Sequence, residues 1–193
     1  RLLQKTHPIA HLPSTVLDWG IEEAKGSNSE IRTELSLDDR PYAICVGRIE
    51  HAKGTLGLLK FWRTMRGRVK GNHRLVLLGE PSVPIEQDDD VVVVRGADDD
   101  TKWSLLRDAD FLINPSAMES FSLVLFEAWA AGIPVLVNGY CDTTREHVAE
   151  ATGGLWYRNY GEFEVAVERL ATDQELRLRL AANGQTFAAE VYG

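Results

Sequence analysis

Six short segments of this chain are almost continuously apolar: 42–46, 74–78, 91–94, 111–113, 134–137 and 155–157. They are rich in Val, Ile and Leu, the pattern of strands covered on both faces. Between them apolar positions recur with helical spacing. Residues 54–68 place Leu58, Leu59, Trp62 and Met65 on one stripe. Residues 101–109 carry Trp103, Leu105 and Leu106, and residues 121–131 are apolar nearly all round, which predicts a buried helix. Further helices are expected at 143–151, 162–171 and 173–190. Strands alternating with helices make βαβ units. The expected fold is α/β, a doubly wound, mostly parallel six-stranded Rossmann-like sheet with helices on both faces. Such sheets bind ligands beyond the carboxyl ends of their strands, so functional motifs should follow strands.

Residues 1–40 break the pattern. They are polar, with Pro8, Pro13 and Gly20, and read as a lead-in or linker with a short strand at 14–17 and a short helix at 28–35. The globular domain is therefore expected at 41–193. A chain of 193 residues suffices for one domain. A net charge of −8 argues against a broad basic nucleic-acid face but leaves room for a focused anion site. Cys45 sits in an apolar strand far in sequence from Cys141 and reads as a buried thiol, which suits a reducing compartment. No apolar run approaches the roughly 18 residues of a spanning helix, and no signal-peptide pattern is visible. The expected location is the cytoplasm, or the cytoplasmic face of a membrane.

Two segments carry the candidate chemistry. Gly47-Arg48-Ile49-Glu50-His51-Ala52-Lys53-Gly54 follows the first strand. Gly47 permits a tight turn, Arg48 and Lys53 bring two cations, and Gly54 opens a helix whose free amides and dipole favour an anion. A planar fork, a point charge and free N–H groups are what a diphosphate requires; a solvated basic turn is the plain alternative. The second segment runs from Asn114 to Val135 and contains Glu119 and Glu127. Glu119 stands at the mouth of the 121–131 helix and Glu127 lies two turns inside, among Leu125, Phe126, Ala128 and Trp129. A carboxylate in such surroundings needs a hydrogen-bonding partner. Eight positions of helix span about 12 Å, roughly the reach from a sugar across a diphosphate to a ribose. Ser120, Phe121, Ser122 and Leu123 would offer amides at the helix start. Against this, Ser116-x-x-Glu119 also matches a capping box, and Glu127 could pair with a structural Arg.

The runs Asp88–Asp90 and Asp98–Asp100 do not suit a metal, because adjacent acids splay apart rather than converge. The first is expected to precede a strand and the second to cap a helix. The five histidines lack metal-ligand spacing; His51 alone lies near the basic loop. No G-x-G-x-x-G follows the first strand, no Walker P-loop occurs and no nucleophile elbow is present. A flavodoxin-like signalling domain would want acids after the first strand, where Gly47 and Arg48 stand.

Taken together, Gly47-Arg48-x-x-x-x-Lys53-Gly54 and Pro115-Ser116-x-x-Glu119-Ser120-Phe121-Ser122-Leu123-x-x-x-Glu127-Ala128-x-Ala130-x-Gly132-x-Pro134-Val135 resemble the donor-binding half of a GT-B glycosyltransferase of the large retaining family four. Gly153-Gly154-Leu155-Trp156-Tyr157 resembles that family's late glycine-rich strand. The resemblance covers about 41–190. It implies that Arg48 and Lys53 hold a donor diphosphate and that Glu119 meets the transferred sugar. It also implies that amides near Phe121–Leu123 hold phosphate and sugar, that Glu127 binds the ribose, and that the loop at Arg95 and Gly96 meets the nucleobase. Two departures stand out. Ser122 occupies a position where the family usually has Gly, and the loop from Asn138 to Glu146 follows the pattern poorly.

The implied substrate is a nucleoside diphosphate sugar, used without a metal. The implied acceptor is a saccharide, a lipid-linked glycan or a small molecule, bound with the help of an N-terminal domain that could also provide peripheral membrane association. The chain begins at Arg1 rather than Met, and 1–40 is too short for such a domain. The chain is thus expected to be a donor-binding fragment without turnover of its own. A non-catalytic nucleotide-sugar binding module is the competing expectation.

Overall fold

A computed structural model describes residues 29–192, except 36 and 38. The expected strand at 14–17 lies outside the described residues. Ser29–Glu34 (α1) precedes a sheet of Tyr42–Val46 (β1), Arg74–Leu78 (β2), Val91–Val94 (β3), Phe111–Asn114 (β4), Val135–Asn138 (β5) and Gly154–Tyr157 (β6). The helices between and after them are Thr55–Met65 (α2), Asp99–Asp108 (α3), Leu123–Ala130 (α4), Asp142–Ala151 (α5), Tyr160–Thr172 (α6) and Gln174–Tyr192 (α7). The strand order is β3-β2-β1-β4-β5-β6, and every pairing is parallel. This is the doubly wound order, with its direction reversing between β1 and β4.

Alternation along β1 builds two cores. Tyr42 and Ile44 point to the layer of α3, α4 and α5, with Trp103, Leu106, Phe126, Trp129 and Val148. Ala43 and Cys45 point to the layer of α2 and α6, with Leu58, Trp62, Phe163 and Val167. The last helix serves both, through Leu176 and Leu180 on one side and Ala188 on the other. Leu37, upstream of β1, is also fully buried in the first core. Trp129 has no exposed surface, and its indole N–H donates to Gly153 O at 2.9 Å. A Cβ at Gly184 would overlap its ring, which is why α7 can lie so close.

Two helix starts differ from the sequence pattern. The third helix begins at Asp99 rather than Thr101, because the Asp98 carboxylate accepts from Thr101 N at 2.8 Å. Hydrogen bonding from the Thr101 side chain, and then from its amide, holds the Asp98 carboxyl below its ordinary value. The fourth begins at Leu123 rather than 121, because Ser122 takes up a left-handed conformation. The Asp88–Asp90 run does precede a strand. Asp88 accepts from the amides of Asp90 and Val91 and pairs with Arg66 at 2.7 Å, and Asp90 pairs with Arg40 at 3.0 Å. Among the described residues no group of three or more His, Cys, Asp or Glu is placed to hold a metal ion. No described helix is long and apolar enough to cross a membrane.

Candidate functional site

A cavity of about 290 Å³ opens beyond the carboxyl ends of β1 and β4, at the point where the strand order reverses. One wall comes from β1 and the start of α2: Cys45, Val46, Gly47, Arg48, Lys53 and Thr55. The other comes from β4 and the start of α4: Asn114, Pro115, Glu119, Ser122, Leu123, Val124 and Glu127. The two motifs meet here across the sheet.

Two helix N-termini border this cavity. The second helix starts after Gly54, which has φ +74, no side-chain cap and no acid in the first turn. The fourth starts after Ser122, likewise with no capping side chain and no acid in its first turn. Each leaves N–H groups without an intrahelical acceptor, at the positive end of its dipole. Two larger surface concavities, of about 600 and 560 Å³, lie elsewhere, beside β6 and α6 and beside α2. The α6 N-terminus at the first of these is already capped by Asn159, with Glu162 in its first turn.

The charged groups are paired in a definite way. Lys53 Nζ lies 2.9 Å from Glu119 Oε1, with side chains 34% and 15% exposed. Lys102 Nζ lies 3.0 Å from Glu127 Oε1 and 3.1 Å from Asp99. Burial alone would lower the Lys102 pKa, but its hydrogen bonds to Glu127 and Asp99 outweigh burial and raise it. Glu127 thus has a cationic partner, a lysine rather than an arginine. Arg48 is mostly solvent-exposed, 3.3 Å from Glu50. The thiol of Cys45 is buried in the cavity wall, and burial pushes it up to about 12.

The loop between β4 and α4 is fastened from within. Asn114 Nδ2 donates to Ser122 Oγ at 2.9 Å while its Oδ1 accepts from Ser116 N at 3.1 Å. The Ser116 hydroxyl donates to Met118 O, and Asn138 Nδ2 donates to Pro115 O at 2.9 Å. Ser116 and Glu119 therefore form no capping box; Glu119 reaches Lys53 instead. A Cβ at Gly54 would overlap the Pro115 carbonyl oxygen, so only glycine allows this approach of the two loops.

The remaining candidates fall outside the cavity lining. Ser120 is exposed. Phe121 turns its ring inward, stacked on Phe126 at 5.0 Å and against His147 at 5.3 Å. Arg95 and Gly96 are exposed at the carboxyl end of β3, where Gly96 N donates to the Glu80 carboxylate at 3.0 Å. His51 is exposed in a short 3-10 turn and does not line the cavity. The sequence reading missed Asn114, Thr55 and Lys102. Asn114 closes a strand immediately before the Pro115-Ser116 motif, and its position there was the available signal.

The cavity thus joins two helix N-termini, two cationic side chains and two carboxylates at the switch point of a doubly wound sheet. The sequence model for "Glycosyl transferases group 1" matches residues 27–187, and the chain belongs to that family. It is 28% identical to an alpha-D-kanosaminyltransferase of Streptomyces kanamyceticus, over 98% of this chain and 51% of that protein. It is 30% identical to a D-inositol 3-phosphate glycosyltransferase of Segniliparus rotundus, over 79% of this chain and 37% of that one. The chain thus spans about half or less of the length of these relatives. Among solved structures it superposes on WaaG, a glycosyltransferase involved in lipopolysaccharide biosynthesis. The TM-score is 0.72 and the identity 18%, over 92% of this chain and 53% of that one. It also matches the C-terminal domain of the group 1 protein LpcC from Francisella tularensis, at TM-score 0.67 and 20% identity, over 86% of this chain and 94% of that one. The architecture is that of GT-B glycosyltransferase C-terminal domains.

Proposed function

We propose that the cavity binds the donor of a retaining sugar transfer, a nucleoside diphosphate sugar, with its phosphates between the two helix N-termini. The observation that carries this reading is the convergence of two uncapped helix starts and Lys53 on one cavity. Arg48 is long and exposed enough to swing onto the same anion. Glu119 lies on the Lys53 side, suited to the hydroxyls of the transferred sugar, and Glu127 one turn inside the fourth helix, suited to those of the ribose. Ser122 and Leu123 supply amides, and Arg95 and Gly96 lie on the side assigned to the base.

The reaction breaks the anomeric C–O bond, and negative charge grows on the departing diphosphate. Preorganised donors aimed at that charge lower the barrier, each by about 2.7–4 kcal/mol in comparable oxyanion sites. Lys53, Arg48 and the two helix starts take the place a divalent cation would otherwise fill. The acceptor, a saccharide, lipid-linked glycan or small molecule, is assigned to a second domain, in keeping with the half-length coverage of the relatives. This chain alone should then bind donor without transferring sugar.

Calorimetry with UDP, GDP and ADP, then their sugar conjugates, with and without EDTA, tests the reading. Binding of one nucleotide, insensitive to EDTA and weakened at least tenfold by Lys53→Ala, is the expected result. No heat with any of the three would overturn it.

A further inference from the structure

Ser122 is strained, half-buried, hydrogen-bonded and placed at the cavity wall. Its φ is +73 and ψ +70, a left-handed conformation that strains a non-glycine residue and persists where the surroundings impose it. Apart from Thr152 it is the only described non-glycine residue with positive φ. Beside it stands Asn114, itself only 7% exposed. Asn114 Nδ2 donates to Ser122 Oγ, while Asn114 Oδ1 is committed to Ser116 N. The amide therefore presents a hydrogen to the serine and no acceptor. A hydroxyl that receives a hydrogen bond on its lone pair still has its own proton to give. Among the described residues that proton has no protein acceptor. Both Asn114 and Ser122 line the cavity.

From this we infer that the Ser122 side chain, and not only its amide, is a ligand donor: its hydroxyl, oriented by Asn114, donates to a phosphate oxygen of the bound nucleoside diphosphate. The inference rests on the donor-site reading above. A glycine at this position would adopt the same backbone without strain but would lack the hydroxyl. Asn114 is assigned the role of positioning residue, since its side chain bonds both Ser122 and Ser116 within the loop.

Two variants separate ligand donation from a role in loop shape. Ser122→Gly removes the hydroxyl and relieves the strain; Ser122→Ala removes the hydroxyl and keeps the strain. Melting temperature and the affinity for the best-bound of UDP, GDP and ADP are measured for both, with Lys53→Ala alongside. Donation predicts that both variants lose affinity about tenfold, as for a hydrogen bond to a charged group. It predicts this although Ser122→Gly melts at or above the parent temperature and Ser122→Ala below it. Asn114→Ala should lose affinity by a similar factor, and Asn114→Ala in the Ser122→Gly background should add little. If Ser122→Gly binds as tightly as the parent while Lys53→Ala does not, the inference fails and the donor site stands. If the parent binds none of the nucleotides, both fail together.

Discussion

The Lys53–Glu119 contact sets up a competition that can be measured. The two groups are 2.9 Å apart, yet in the proposed complex Lys53 serves the diphosphate and Glu119 the sugar. A nucleoside diphosphate without a sugar must therefore draw Lys53 from a carboxylate that gains nothing in return. At an effective dielectric near 20, unit charges about 4 Å apart attract by roughly 4 kcal/mol. Lys53 is a third exposed, so side-chain entropy and solvent screening reduce this to about 1 kcal/mol. Glu119→Gln keeps the shape and removes the charge. It should tighten binding of the bare nucleoside diphosphate by about fivefold. Binding of the sugar conjugate should gain less or weaken, because the carboxylate's bond to the sugar is lost with it. Calorimetry at low and high salt reads both, and the gain should shrink as salt rises. A double-mutant cycle with Lys53→Ala should show the two substitutions to be strongly non-additive. Unchanged or weaker binding of the bare diphosphate to Glu119→Gln, alongside a large loss in Lys53→Ala, would refute the reasoning.

Other outcomes follow from the same geometry. Gly54→Ala places a methyl against the Pro115 carbonyl at a positive φ and should cost about 1–3 kcal/mol, a fall of several degrees in Tm by differential scanning calorimetry. Burial pushes the His147 imidazole below its ordinary value, a shift only partly offset by Glu150, the Phe121 backbone and Glu146. The native state therefore holds fewer protons than the unfolded chain. The stability linked to His147 is complete above the ordinary histidine value of about 6.5 and is lost as pH falls below it. A His147→Leu variant should show a flatter Tm profile between pH 7 and 5, and an unaltered slope would contradict this assignment. Cys45, with its thiol pushed up to about 12 inside the cavity wall, should resist alkylation at pH 8 in the folded protein and react on unfolding.

The fold was legible because strands covered on both faces leave an unmistakable trace, such as Val91 to Val94 or Tyr42 to Val46. The lining of the candidate cavity was legible where it depends on chain order: Arg48 and Lys53 after β1, Glu119 and Glu127 after β4. What stayed hidden depends on contacts between distant positions. Lys53 and Glu119 are 66 residues apart in sequence, and nothing local shows that they meet. The same holds for Lys102 and Glu127. Local pattern also misled at Ser116-x-x-Glu119, where a capping box presumes a helix starting beside it. Ser122 turns the chain left-handed first, and the helix begins one residue later. Phe121 was assigned to the ligand through its backbone amide; its ring, which that assignment left open, stacks on Phe126 in the core.

The contact of Gly54 with Pro115 bears on how such a protein can change over generations. The carbonyl oxygen of Pro115 is closely approached by Gly54 and bonded by Asn138, so residues at or beyond the ends of three different strands converge on one oxygen. A substitution at Gly54 has no neutral path unless the loop after β4 moves first, and that loop is held by Asn138. Positions 54, 115 and 138 should therefore vary together or stay as they are. Arg95, exposed after β3, shares none of these contacts. On the proposed donor site, inherited variation in ligand preference is expected to collect at Arg95, while the positions around Pro115 change little.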